Sequence, residues 1–428
     1  MIKLKRIVAN NFKSFGHLDI DFSDFTLIVG ANASGKSNFV CVLKFIKDII
    51  LFGIDDAISL QGGIRYLRNF QADIEECISI DFALEVNEPW NRLIRVGGKG
   101  NAEANRGCIR EIKYSFKIKP AKRGNGYKIV SDVLEIQYAF VSTDSNNNEE
   151  DQDGIVLKFY KQNSRCKYTY TCEFLIESSE NTAKTKAVAR ALGADFFCEY
   201  MRDLHKELML SKIFLFMPPF FNEESFINIF DFDPKKIKHS CSIAAFKHLK
   251  EDGSNLALII HDILRSKESR HRFNNLLNDI LPAITNVSVQ QNIDQSVSYK
   301  ITEKYCNCDI YSNFLSDGTA SIIAFIVALY FEPQAKILIF EEPERNIHPK
   351  LLSSLMAMTD DVSQKKQIIF TTHNSEMLRN ADIENIRLIQ RDKTGFSIVS
   401  KPGESKTVIN FLNNELSIDE LFINDLLR

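Results

Sequence analysis

Alternating apolar and polar positions open the chain. Lys3 to Ala9 alternates, as does His17 to Phe22, and the turn-rich Asn10-Asn11-Phe12-Lys13-Ser14-Phe15-Gly16 lies between them. This pattern predicts two strands joined by a turn. Ser23-Asp24 then turns the chain into Phe25-Thr26-Leu27-Ile28-Val29, a continuous apolar run with β-branched members that predicts a buried strand. From Asn38 to Leu51 the apolar residues recur at helical spacing, and Gly53 is placed to stop that helix. Gly62-Gly63 predicts a loop running through Arg65 and Arg68.

From Cys77 to about Ile176 the period is mostly two. Strands are predicted over 78–86, 110–118, 129–140, 155–160 and 168–176. Gly97 to Asn101, Lys122 to Gly126 and the acidic Asp144 to Asp151 separate them as loops. The character turns helical from about Asn181 to Ile284, with candidates at 183–210, 255–264 and 272–280, and breaks at Met217-Pro218-Pro219 and Asp233-Pro234. Val287 to Val289 and Val297 to Ile301 return to strand. There is no internal repeat and no sustained heptad.

Two further apolar runs end in polar side chains. Ile337-Leu338-Ile339-Phe340 leads into Glu341-Glu342, and Ile368-Ile369-Phe370 leads into Thr371-Thr372-His373. One helix and one strand of chain separate the acids from the histidine, which is βαβ spacing. Leu315-Ser316-Asp317-Gly318-Thr319 precedes the strongly apolar helix Ala320 to Tyr330. Ser-Asp-Gly there is either a turn with an N-cap or an anion site at a helix N-terminus.

The candidate chemistry starts at Gly30-Ala31-Asn32-Ala33-Ser34-Gly35-Lys36-Ser37. It fits G-x-x-x-x-G-K-[ST], the phosphate-binding loop, between a predicted strand and a predicted helix. In that arrangement backbone N–H groups and a helix N-terminus face a phosphate chain. Lys36 is expected to reach the β- and γ-phosphates and Ser37 to ligate Mg²⁺. A buried strand that ends in acids sets them at the carboxyl edge of a sheet, beside such a loop. Glu341 is therefore expected to hold Mg²⁺, Glu342 to polarise the attacking water, and His373 to bond the γ-phosphate or that water.

Composition narrows the class without changing this picture. With 44% hydrophobic and 25% charged residues the chain is an ordinary globular one. A net charge of −3 does not advertise a nucleic-acid binder, although a local patch stays open. The basic clusters at 235–239 and 265–272 could meet phosphates, solvated faces being the plainer reading. Nine irregularly spaced cysteines do not form a disulfide framework, and Cys306-Asn307-Cys308 has no second pair at zinc spacing. The N-terminus carries no signal peptide pattern, and the longest apolar run, Ile322 to Phe331, is about half of what a membrane span needs. A cytoplasmic location and no membrane partner are expected.

Taken in order, these segments resemble an ABC-type ATPase head of the SMC, RecF and OLD kind. Gly30–Ser37 resembles Walker A. Leu315–Thr319 resembles the ABC signature, usually Leu-Ser-Gly-Gly-Gln, with Asp317 and Thr319 replacing Gly and Gln. Ile337–Glu342 resembles Walker B with its catalytic glutamate, Glu341 standing for the usual Asp. Asn346-Ile347-His348-Pro349 stands at the D-loop and His373 at the switch histidine. Asn11-Phe12-Lys13-Ser14-Phe15 resembles the N-terminal segment whose basic residue, here Lys13, approaches the nucleotide. The glutamine loop is open between Gln71 and Gln137. Asp231 to Lys235 and Glu251 to Leu256 are similar to segments of the AAA15/AAA21 predicted ATPases, many of which sit in prokaryotic anti-phage modules beside a nuclease or other toxic effector.

The resemblance implies an α/β fold, an ABC-type P-loop NTPase head without a long coiled coil. Its lobes would be 1–177 (β-rich, Walker A) and 286–428 (signature, Walker B, switch histidine), with a helical insertion at 178–285. It implies ATP and Mg²⁺ as cofactors, Glu342 and His373 as catalytic groups, and Ser37 and Glu341 as metal ligands. Nucleotide contacts would come from Gly30, Asn32, Ser34, Gly35, Lys36, Ser37, Asn38 and Lys13. Two heads would sandwich two ATP molecules, with Ser316 and Gly318 acting across the homodimer or higher homo-oligomer. The implied function is a sensor or regulatory ATPase of a defence complex with a separately encoded effector. A RecF-like repair ATPase that binds DNA is the alternative.

Overall fold

The computed structural model describes residues 2–427 except 74, 87–91, 97–102, 123, 125, 144–148, 165–166, 177–193, 203–206, 217–225, 244–247, 307 and 415. The chain forms two compact units, each assembled from three segments. The first comprises Met1–Phe22, Ser37–Glu224 and Gln390–Val399, and the second Ser23–Lys36, Ser225–Ile389 and Ser400–Arg428.

The first unit is built on an antiparallel sheet. Ile2–Phe12 lies between Phe15–Asp21 and Ile78–Val86, and the sheet continues through Glu103–Pro120, Tyr127–Thr143, Glu149–Ser164 and Lys167–Ile176. Arg92–Val96 pairs with Glu103–Pro120. Helix Lys36–Phe52 packs through Phe45, whose ring centroid lies 5.8 Å from that of Phe12 and 6.3 Å from that of Phe116. Buried polar groups interrupt the apolar sheet, the carboxyl of Asp132 among them. Asp132 accepts from the Tyr114 hydroxyl at 2.6 Å and from the Met209 N–H at 3.0 Å. Burial pushes its carboxyl up to about 6, against the downward pull of those two donors and of Lys161.

The second unit holds a parallel sheet in the order Ile227–Phe230, Ile337–Glu341, Gln367–Thr372, Phe25–Val29, Ile386–Arg391. The three middle strands are buried almost throughout, which explains why they read as unbroken apolar runs rather than alternating ones. Phe340 anchors the core, within 5.0–5.4 Å of the rings of Phe230, Phe325 and Phe370. Helix Asp317–Tyr330 is buried from Ala320 to Leu329, so it is apolar all round. Helices Leu256–Arg265 and Lys267–Ile280 accompany a small antiparallel sheet, in which Ser296–Glu303 pairs with Cys241–Ser242, Ile284–Gln291 and Asp309–Tyr311.

Several local expectations need correcting. The first strand runs on to Phe12, and the turn shrinks to Lys13-Ser14, with Asn11 at φ 56° and Lys13 at φ 47°. The loop after Gly63 contains a short helix, Ile64–Leu67. Glu149 to Asp151 belong to a strand, where the pairing partner overrides their polarity. Within the stretch read as helical, Ile227–Phe230 is a strand of the parallel sheet, too short for its period to show. Asp233-Pro234 starts a helix rather than breaking one, since Asp233 caps Pro234–Lys238 through the Lys235 N–H. Of the helix expected over 183–210, Ala194–Arg202 is helical and Met209–Phe216 is a 3₁₀ turn. The expected loop at 97–101, most of that at 144–151 and the Met217-Pro218-Pro219 break lie outside the described residues. Among the described residues no helix is long and apolar enough to cross a membrane.

Candidate functional site

The second unit aligns its polar strand ends. Glu341 pairs in register with Thr371, and Thr372 with Val29, so the acids, His373 and the phosphate-binding loop leave the same carboxyl edge. The loop is drawn onto that edge by the Gly30 N–H, which donates to Thr372 O at 3.3 Å. A Cβ on Gly30 would lie 2.3 Å from Ile389 O and 2.6 Å from Ser34 Oγ, so backbone approach demands glycine there. Gly35 takes φ 122°, and Ala33 holds a left-handed φ of 63°. Asn32 is exposed, whereas Ser34, Gly35 and Lys36 are buried.

Lys36 Nζ donates to Gly30 O at 2.7 Å and to Ala31 O at 3.1 Å. Burial pulls the Lys36 ammonium below the ordinary lysine value, and Glu342, Glu344 and Glu341 pull it back up. Glu342 has a positive φ of 47° and is tied to the neighbouring strand by its N–H to Thr371 O at 2.9 Å. His373 Nδ1 donates to Glu342 Oε1 at 2.7 Å, and an Arg345 N–H donates to Glu342 Oε2 at 3.1 Å. Burial raises the Glu342 carboxyl, but these two partners outweigh it and hold the group below its ordinary value.

Sequence reasoning gave no place at this edge to Glu344 or Arg345, and placed Asp231 only within a family-like segment. Glu344 is buried, accepts from the Thr372 hydroxyl, and has no partner for Oε2 among the described residues. Burial raises its carboxyl. Thr372 Oγ1 also accepts from the Asn374 N–H at 2.9 Å, so one hydroxyl joins the loop after Glu342 to the loop around His373. The signal was present in Glu341-Glu342-Pro343-Glu344-Arg345, where only the first two acids were read.

Ser316 caps helix Asp317–Tyr330 by accepting from the Thr319 N–H at 3.1 Å. Gly318 sits against the loop at Asn346, and a Cβ there would lie 2.6 Å from Asn346 O. Asp317 pairs with Lys238 at 2.6 Å, which gives its departure from glycine a structural reason. In the first unit, Lys13 and Asn38 line one cavity of about 570 Å³ together with Tyr66, Gln71 and Arg391. Gln71 donates to Thr394 O at 3.2 Å, whereas Gln137 lies on an exposed strand position. Ser37 is the second residue of helix Lys36–Phe52.

The basic clusters are partly engaged. Lys236 pairs with Asp252 at 3.0 Å, and the Arg272 guanidinium lies 5.4 Å from the Tyr330 ring centroid. The sulfurs of Cys306 and Cys308 are 3.2 Å apart. No group of three or more His, Cys, Asp or Glu side chains suited to a metal ion occurs among the described residues.

A glycine loop closing a buried parallel strand, an acidic pair on the next strand but one, and a histidine on the strand between them define a P-loop ATPase head of the ABC type. The family model described as "AAA domain, putative AbiEii toxin, Type IV TA system" matches residues 25–379, and the chain belongs to that family. Over 121 residues the chain is 22% identical to an uncharacterized protein of Methanocaldococcus jannaschii, covering 26% of this chain and 32% of that one. Over 77 residues it is 39% identical to the chromosome partition protein Smc of the same organism, covering 18% of this chain and 7% of that one. It therefore spans about a third of the first relative and a small part of the second. Among solved structures, the Smc head domain with an extended coiled coil bound to the C-terminal domain of ScpA from Pyrococcus furiosus is similar over 96% of this chain and 100% of that one, with a TM-score of 0.49 and 13% identity. The Smc head bound to the C-winged helix domain of ScpA is similar over 93% and 97%, with a TM-score of 0.48 and 14% identity.

Proposed function

We propose that this chain binds and hydrolyses ATP as the switch of a prokaryotic defence complex, controlling a separately encoded effector. The observation that carries the ATPase part is the shared carboxyl edge, where Lys36 feels three carboxylates and Glu342 is held by His373. Family membership supports the defence setting, since the family's own description includes a type IV toxin–antitoxin system. Engagement of several basic side chains in ion pairs and ring contacts favours a protein partner over DNA.

In this reading the loop N–H groups of Gly30 to Gly35 and the Lys36 ammonium bind the phosphates, with Asn32 and Ser34 on the same loop. Lys13 and Asn38 are the further nucleotide contacts of this proposal. Ser37 and Glu341 would hold Mg²⁺, and a hydroxyl with a carboxylate is the oxygen donor set that such a hard cation takes. The cation supplies neutralisation of phosphate charge when bound. Glu342 accepts a proton from water as its oxygen attacks the γ-phosphorus. The bond to the β-phosphate oxygen breaks, and ADP and inorganic phosphate leave. His373 keeps Glu342 aimed. Ser316 and Gly318 act on the nucleotide of a second copy, so that ATP closes the pair and hydrolysis opens it.

The test is steady-state ATP turnover by the purified chain, with and without duplex DNA, with Lys36→Ala as control. Turnover that depends on Lys36 and ignores DNA is the expected result. A Lys36-dependent rate raised severalfold by DNA would move the function to the repair-type alternative. A rate indifferent to Lys36 would sink the ATPase reading.

A further inference from the structure

Arg345 lies just beyond the acidic pair and joins two strand ends. One guanidinium N–H donates to Glu342 Oε2 at 3.1 Å and another to Asp231 Oδ1 at 3.3 Å. Asp231 follows strand Ile227–Phe230, and Glu342 follows Ile337–Glu341; these strands are parallel neighbours, with Phe230 in register with Phe340. Both acids therefore leave the same edge, and the planar fork of arginine bridges them. The second Glu342 oxygen meets His373 Nδ1 at 2.7 Å. The backbone of Glu342 sits at φ 47°, where a residue other than glycine persists only if its surroundings hold it.

We infer that Arg345 is a positioning residue, which holds the Glu342 carboxylate in one orientation with Asp231 as its backstop. A glutamate side chain turns about three bonds. Two partners from two different segments remove that freedom and leave the remaining lone pairs of both oxygens aimed in fixed directions. The arrangement is suited to orientation rather than to stability. The side chains of Arg345 and Asp231 are 46% and 41% exposed, and such half-exposed pairs contribute little to folding. Fixing a reacting group, by contrast, is worth orders of magnitude in rate. The inference rests on the reading of Glu342 as the group that activates water.

The test uses the full chain with ATP and Mg²⁺, comparing wild type with Arg345→Ala, Arg345→Lys, Asp231→Asn and Glu342→Gln. In Arg345→Ala, kcat falls about ten- to a hundredfold while KM for ATP stays within about twofold. Arg345→Lys keeps the charge without the fork and recovers part of the loss. Asp231→Asn lowers kcat less, and adds nothing on top of Arg345→Ala because it acts only through that side chain. Equal binding of a fluorescent, non-hydrolysable ATP analogue by wild type and Arg345→Ala shows that the variant is folded. An unchanged or raised kcat in Arg345→Ala overturns the inference, as does a raised KM at constant kcat, which would make Arg345 a phosphate contact. Full turnover in Glu342→Gln would instead remove the reading on which it rests.

Discussion

Two glycines in the second unit are fixed by carbonyl oxygens rather than by their dihedral angles. At Gly30 a methyl group would press on Ile389 O, and at Gly318 on Asn346 O. Neither obstacle is a flexible side-chain end, so each alanine variant must shift backbone. Gly30→Ala and Gly318→Ala should each cost about 1–3 kcal/mol of stability, read as lower urea midpoints at constant m-value. A midpoint unchanged in both would mean that these contacts are looser than described. The motif spacing made Gly30, Lys36, Glu341, Glu342 and His373 legible in the sequence, because strand, loop and acid each leave a local mark. It could not reveal why Gly30 is glycine, since Ile389 is far along the chain. Nor could it single out Arg345 and Asp231, whose meeting depends on two strands becoming neighbours.

At the level of elements, the long antiparallel strands and the helix after the phosphate-binding loop were legible because period two and period 3.6 run long enough to count. Ile227–Phe230 was not, having four residues and lying between helical stretches. The Asp132 cluster was hidden for another reason, since it joins strand Tyr127–Thr143 to Tyr114 of one neighbour and to the Met209 turn. It carries a consequence for pH. The native carboxyl titrates near 6, above the ordinary 3.8, so between those values the folded chain keeps a proton that the unfolded chain has released. The stabilisation is therefore complete below about pH 4 and is lost as pH rises through about 6. Asp132→Asn keeps the neutral state at every pH. Its unfolding free energy relative to wild type should rise by about 1–3 kcal/mol from pH 4 to 7, measured by urea denaturation across that range. A flat difference would show that Asp132 does not carry the effect.

At the level of the whole molecule, Glu342→Gln offers the clearest test of the proposed pairing. The amide cannot take the proton from water, so ATP persists. If Ser316 and Gly318 act on the nucleotide of a second copy, this variant should become a dimer in saturating ATP and Mg²⁺, with light scattering reading twice the monomer mass. A monomer under those conditions would end the sandwich proposal while leaving ATP binding intact.

The interleaving of segments also sets a schedule for synthesis. Phe25–Val29 is a completely buried strand whose ladder partners are Gln367–Thr372 and Ile386–Arg391. The first of these emerges from the ribosome about 340 residues after the strand itself. At typical elongation speeds of about 5–20 residues per second, that is a wait of roughly 20–70 s. During this interval the future nucleotide loop hangs on an unsheltered apolar strand. The sheet that carries the phosphate-binding loop thus closes only after Gln367–Thr372 and Ile386–Arg391 have been made, and until then Phe25–Val29 stands without its ladder partners.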